Sequence, residues 1–167
     1  MNPKPELIPV GTPWKISSTS EISVSIYESG NITLHPTVSF IESDDTKITG
    51  YSIIEYAIDV VFFDTNWLKI SPVNDDHADF YKEYNHDAVA MVGNSSLEAL
   101  KQYRLKWLES ELCPDPKMYN VKGSNWNPSG FLAERGYKHY IVLGRDIYIN
   151  IFGNKWEWQN KRRVIYR

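Results

Sequence analysis

Period-two alternation of apolar and polar residues occurs on both sides of one long, capped helical stretch, and strand and helix nowhere take turns along the chain. Parallel strands need long crossovers, usually helices, between them. Strands first, then one helix, then strands again therefore predict an α+β fold with an antiparallel sheet. Ile22, Val24 and Ile26 alternate with Ser23, Ser25 and Tyr27; Ser29, Gly30 and Asn31 supply a turn, and Ile32, Leu34, Val38 and Phe40 resume the pattern across Pro36. Tyr51 to Phe63 is rich in β-branched and aromatic residues and predicts a long third strand, completing a meander. Further strand signals lie at Met118 to Lys122, Tyr137 to Leu143, Asp146 to Phe152, Lys155 to Trp158 and Val164 to Tyr166, with a helical turn at Phe131 to Glu134.

The main helix is predicted at about 96–112. Ser95 as N-cap with Glu98 three residues on reads as a capping box, Pro114 and Pro116 end the helix, and Leu97, Leu100, Leu105, Leu108 and Leu112 form a stripe interrupted only by Arg104. The expected architecture is an antiparallel meander, strongly twisted or partly barrel-like, packed against this helix. Its core would join Ile22, Val24, Ile26, Ile147, Ile149 and Ile151 to Leu100, Leu105 and Leu108. Pro3, Pro5, Pro9 and Pro13 predict an extended N-terminal arm over 1–20, tied down by Trp14 and Ile16, ahead of a single α+β domain over 21–167. Between 64 and 94, His77, Phe80, Tyr81, Tyr84, Ala88 and Met91 or Val92 fall at helical spacing, but Asn85 and the strand-like Ala88 to Val92 argue for a break, so one short helix is predicted.

Several function classes lack their usual signatures. The single cysteine, Cys113, excludes an internal disulfide framework, and its place after a helix C-terminus, where the dipole disfavours a thiolate, argues against a nucleophile. No Gly-x-Ser-x-Gly elbow and no glycine-rich phosphate loop occurs, so no cofactor is expected. Asp75, Asp76, His77, Asp79, Glu83 and His86 lack the spacing of a calcium loop or of a two-metal carboxylate site, and no metal is expected there. His35 and His139 fall in predicted strands and read as packed or surface side chains. The chain opens without an apolar leader-like run, and the mostly apolar Ile53 to Phe63 is about half the ~20 residues of a membrane span. The expectation is a soluble, cytoplasmic protein without membrane contact.

Charge is segregated along the chain. Glu42 to Asp87 carries eleven acidic residues against three lysines, net −8, whereas Lys138 to Arg167 carries seven basic residues against two acidic ones, net +5. The first expectation is a binding or regulatory protein without catalysis, of the inhibitor or immunity type, that meets a partner with a basic surface. Asp75, Asp76, Asp79 and Glu83 would form a charged rim around Phe80 and Tyr81, with Trp126 as a further anchor. The alternative uses the aromatic, basic C-terminal sheet, with Arg145, Tyr148, Phe152, Lys155, Trp156 and Trp158 holding single-stranded nucleic acid or carbohydrate. A third reading is an enzyme of unrecognised class whose cleft contains titratable groups with displaced pKa values.

Overall fold

The computed structural model describes residues 3–72, 78–89, 96–126 and 131–166. Two antiparallel sheets form. The first contains β1 (Glu6–Pro9), β7 (Trp67–Pro72), β8 (Met118–Lys122), β9 (Lys138–Leu143) and β10 (Ile147–Gly153), in the order β1-β8-β9-β10-β7. The second contains β2 (Trp14–Ile16), β3 (Ser23–Ile26), β4 (Ile32–His35), β5 (Thr37–Ser43) and β6 (Tyr51–Phe63), in the order β2-β5-β6-β4-β3, and β11 (Lys155–Arg163) pairs with β6. Among the described residues three helices accompany them: α1 (Ala78–Glu83), α2 (Leu97–Ser110) and α3 (Phe131–Glu134). The α+β class and the antiparallel pairing are those the sequence predicts. Among the described strands neither sheet closes on itself.

The long strand β6 organises the second sheet. Its first half pairs with β5 and its second half with β4 in one continuous register, and Pro36, which joins those two strands and has no N–H of its own, still accepts the Ile58 N–H at 3.2 Å. β11 pairs with the same strand, with a register shift between Gln159 and Arg162, where Asn160 adopts a φ of 59° that Asn tolerates better than most residues.

The sheets share a core. Trp14, Ile16, Ile32, Leu34, Val38, Ile58, Val60 and Phe62 from the second meet Met118, Tyr140, Val142, Ile149 and Ile151 from the first. The alternation is clean: Ile149 and Ile151 face this core, and Tyr148, Asn150 and Phe152 face the other way. Part of that opposite face is covered by α1, whose Phe80 packs with Leu7, Tyr119, Val121, Ile141 and Leu143.

Several expectations are corrected. The residues of the predicted arm are built into the sheets as β1 and β2, and Leu7 and Trp14 are fully buried. The helix α2 is capped by Ser96, whose side chain accepts the Ala99 N–H at 3.1 Å; Ser95 lies outside the described residues. It turns Tyr103 and Trp107 inward, not the leucine stripe, and Leu97 is 86% exposed. The reason lies in the polar tips of the two rings. Trp107 donates from Nε1 to the Pro13 carbonyl at 3.1 Å and Tyr103 donates to the Asp115 carbonyl at 3.3 Å, so each ring buries its apolar body and satisfies its one donor, which leucine cannot do. The helix thus forms a small separate cluster with Cys113 and Ile41. Ile26, at the turn end of β3, is 69% exposed and lies outside the shared core that Val24 and Ile147 flank. β7 occupies part of a segment for which only a helix was expected, β11 runs on to Arg163, and Val164–Tyr166 is not a strand.

Candidate functional site

The outer face of the first sheet divides into a covered part under α1 and a part bearing aromatic rings. The register sets Phe152 of β10 opposite Trp67 of β7 on one side and opposite His139 of β9 on the other, so the three rings form one cross-strand row. Phe152 is 1% exposed, with the Trp67 ring at 5.5 Å and the Tyr137 ring stacked at 5.8 Å. Tyr137 in turn hydrogen-bonds Asp64, fastening the start of β9 to the β6–β7 turn.

Trp126 comes from the loop after β8 and stacks on His139, with centroids 4.6 Å apart and planes 6° from parallel. A chain of hydrogen bonds fixes this stack. His139 Nε2 lies 2.8 Å from Asn150 Oδ1, His139 Nδ1 lies 2.7 Å from Ser124 Oγ, and Ser124 Oγ accepts the Trp126 N–H at 3.0 Å. A neutral ring satisfies this chain, donating from Nε2 and accepting at Nδ1 from the Ser124 hydroxyl. Burial holds the His139 pKa below the ordinary histidine value, while the bond to Asn150 pulls it back up in part.

Between Trp126 and Trp67, whose rings meet edge-on at 6.4 Å and 75°, lies an open cleft of about 540 Å³ lined by Asn66, Trp67, Leu68, Asn125 and Trp126. Asn66 is placed by its N–H, which donates to the Phe152 carbonyl at 2.9 Å. None of these lining side chains is charged. The volume is that of a small-molecule site, and the lining combines two indole surfaces with two carboxamides that can donate and accept. A second cleft of about 400 Å³ has Ser124, Tyr137, His139 and Phe152 in its lining. Among the described residues no group of His, Cys, Asp or Glu is arranged to hold a metal ion.

The residues singled out from the sequence are scattered. Asp75 and Asp76 lie outside the described residues, as does the side chain of Asp79. Phe80 is 5% exposed and packs on Tyr84 and Tyr148, and Tyr81 accepts Lys117 Nζ at 3.0 Å; Glu83 is exposed. Trp126 is in the cleft, and Phe152 supports the ring row beneath it. Arg145 sits in the β9–β10 turn beside Asp146, Lys155 lies over the Phe63 ring, and Trp156 and Trp158 pack against the core between the sheets. Asn66, Trp67 and His139 were not anticipated as site residues. Their association depends on the pairing of β7, β9 and β10, which spacing along the chain does not reveal.

Comparison with protein-family models, with curated proteins and with solved structures finds no match to this chain.

Proposed function

We propose that this protein binds carbohydrate, holding a neutral, hydroxyl-rich ring in the cleft between Trp67 and Trp126. The observation that carries the reading is the pair of edge-on indoles, 6.4 Å apart, in a cleft whose other described linings are Asn66, Asn125 and Leu68. A pyranose presents axial C–H groups to an aromatic face and a rim of hydroxyls to amide groups. Both kinds of partner line this cleft. The bond chain through His139 and Ser124 supports the reading because it fixes the Trp126 wall before any ligand arrives, which lowers the ordering cost of binding. Nucleic acid is disfavoured by the uncharged lining, since affinity for it comes largely from cations that neutralise phosphates. Recognition of a basic protein through the 75–83 segment is disfavoured because Phe80 is buried in the fold and Tyr81 packs, partly buried, against the same cluster.

The test is titration of the protein with xylo-, cello-, malto- and chito-trisaccharides, followed by tryptophan fluorescence and calorimetry at low and high salt. The expected outcome is saturable binding of at least one of them, insensitive to salt and weakened on the order of tenfold or more in Trp67→Ala and Trp126→Ala, as for loss of an aromatic platform. Binding that weakens steeply with salt would transfer the site to nucleic acid, and no binding to any of the four would defeat the proposal.

A further inference from the structure

On the outer face of the second sheet, three neighbouring strands bring together side chains that lie far apart in the chain. The register pairs Ser25 of β3 with Thr33 and Ser23 with His35, so Ser25 and His35 are diagonal neighbours on one face. Pairing of Leu34 with Val60, continued by one residue, sets His35 of β4 beside Asp59 of β6. Ser25 Oγ is 2.9 Å from His35 Nε2, and His35 Nδ1 is 2.9 Å from Asp59 Oδ1. Asn160 donates to the other oxygen of Asp59 at 2.6 Å, and Arg162 lies 3.3 Å from Oδ1. Asp59 is 13% exposed at its side chain, whereas a third of the His35 side chain remains open to solvent.

We propose that Ser25 is a nucleophile, with His35 as its general base and Asp59 as the group that orients the base, and that this row gives the protein an acyl-transfer activity toward small activated esters. The roles follow from which atom faces which. The carboxylate accepts the proton on Nδ1 and thereby leaves the lone pair of Nε2 aimed at the serine hydroxyl, the arrangement that general-base activation of a weak nucleophile requires. Burial raises the Asp59 carboxyl, but the bonds from Asn160 and His35, with the charge of Arg162 and that of the His35 ring when it is protonated, bring it below the ordinary aspartate value, so it is ionised at neutral pH. In the reaction the Ser25 O–H bond breaks and its proton passes to His35 Nε2 while Oγ bonds to the ester carbonyl carbon. Collapse of the tetrahedral species breaks the bond to the leaving alkoxide, which takes the proton from His35. Water then repeats the sequence on the acyl-serine, releasing the acid and restoring Ser25.

A donor for the developing oxyanion is also at hand. The Tyr27 N–H donates to the Asn31 carbonyl at 3.0 Å, so the alternation of an antiparallel ladder makes Ser25 and Thr33 a hydrogen-bonded pair. That alternation turns the Ile26 N–H to the opposite side of β3, where no described strand pairs with it. It is the N–H of the residue after the nucleophile, the position that supplies one oxyanion donor in many serine hydrolases. The strand face is open and Ser25 is only half-buried, which suits a small acyl group.

The test is reaction of the full chain with diisopropyl fluorophosphate, the adduct being located by peptide mass spectrometry, together with turnover of p-nitrophenyl acetate. One adduct per chain is expected, on Ser25, with loss of both reactions in Ser25→Ala and a labelling rate reduced on the order of a hundredfold in His35→Gln, the usual scale for loss of a general base. The adduct map of the unaltered protein needs no variant to fold. If Ser25 is labelled no faster than the exposed Ser29, or equally fast in His35→Gln, the row is only a clamp between strands and the proposal is overturned. The proposal is independent of the indole cleft, because neither reaction involves saccharide.

Discussion

His139 shows how much one side chain can decide at the cleft. It is 4% exposed, bonded through both ring nitrogens and stacked under Trp126, and its folded pKa lies below the ordinary histidine value because burial disfavours the charged form. A lowered folded pKa means that the unfolded chain binds the proton more readily. The associated stability is fully present above about pH 6.5 and is lost as pH falls from there through the folded value. Unfolding free energy measured in urea from pH 7.5 to 5 is therefore expected to decline, and His139→Gln to remove part of that slope. Equal slopes for the two proteins would show that folding does not shift the titration of His139. From the sequence His139 is one of two strand histidines expected to be packed or on the surface, and packed is what it is; its two polar partners come from β10 and from the loop after β8, beyond the reach of local pattern.

At the scale of elements, the long strands were legible from composition and turn punctuation. The β6 range is the predicted run Tyr51–Phe63, and β9 and β10 fall within a residue of expectation: each is an apolar and aromatic run beside the turn at Gly144 and Arg145, and both are buried on two faces, with Tyr140, Val142, Ile149 and Ile151 in the core between the sheets and Ile141 and Leu143 in the cluster under α1. The helix α2 was legible as an element but not in its orientation. Helical period ranks faces by hydropathy, and hydropathy undervalues Tyr103 and Trp107, whose donors reach carbonyls supplied by Asp115 and Pro13. Trp107→Ala is accordingly expected to cost about 3 to 5 kcal/mol, as for deletion of a buried aromatic. Leu108→Ala, at a half-buried position, should cost less than half of that. Chemical denaturation of the two variants decides the matter: a larger loss for Leu108→Ala would restore the leucine stripe as the docking face. The edge strand β7 was missed because the periodic signal read between 64 and 94 begins only at His77 and nothing local marks Trp67–Pro72 as a strand, which its pairing with β10 defines.

Over the whole molecule, the charge segregation seen along the chain is partly undone by topology. β11, from the basic end, pairs with β6, from the acidic segment, and Arg162 and Lys161 reach Asp59 and Glu42 at 3.3 and 3.7 Å. Arg162 is exposed and both partners of the Lys161–Glu42 pair are at least a third exposed, so these pairs temper the field between the segments more than they stabilise the fold. What joins the two sheets is the core between them, to which both contribute and against which Trp156 and Trp158 of β11 also pack, Trp158 meeting Trp14 at 6.5 Å and Phe40 at 5.8 Å. Because no sheet has this core to itself, both should unfold in one cooperative step, carrying the indole cleft with them. Two tryptophan groups report separately on this: Trp14 and Trp158 between the sheets, Trp67 and Trp126 on the outer face. In Trp67→Phe with Trp126→Phe the fluorescence reports the remaining tryptophans, chiefly within and around the core, and its urea midpoint should coincide with that of far-UV circular dichroism on the same protein. In the unaltered chain, fluorescence quenched by a bound trisaccharide should be released at the midpoint of a far-UV titration run with the same ligand concentration. Release at distinctly lower urea, with the dichroism still native, would mean that the outer face opens as a unit of its own and that the Trp126 wall is not held by the shared core.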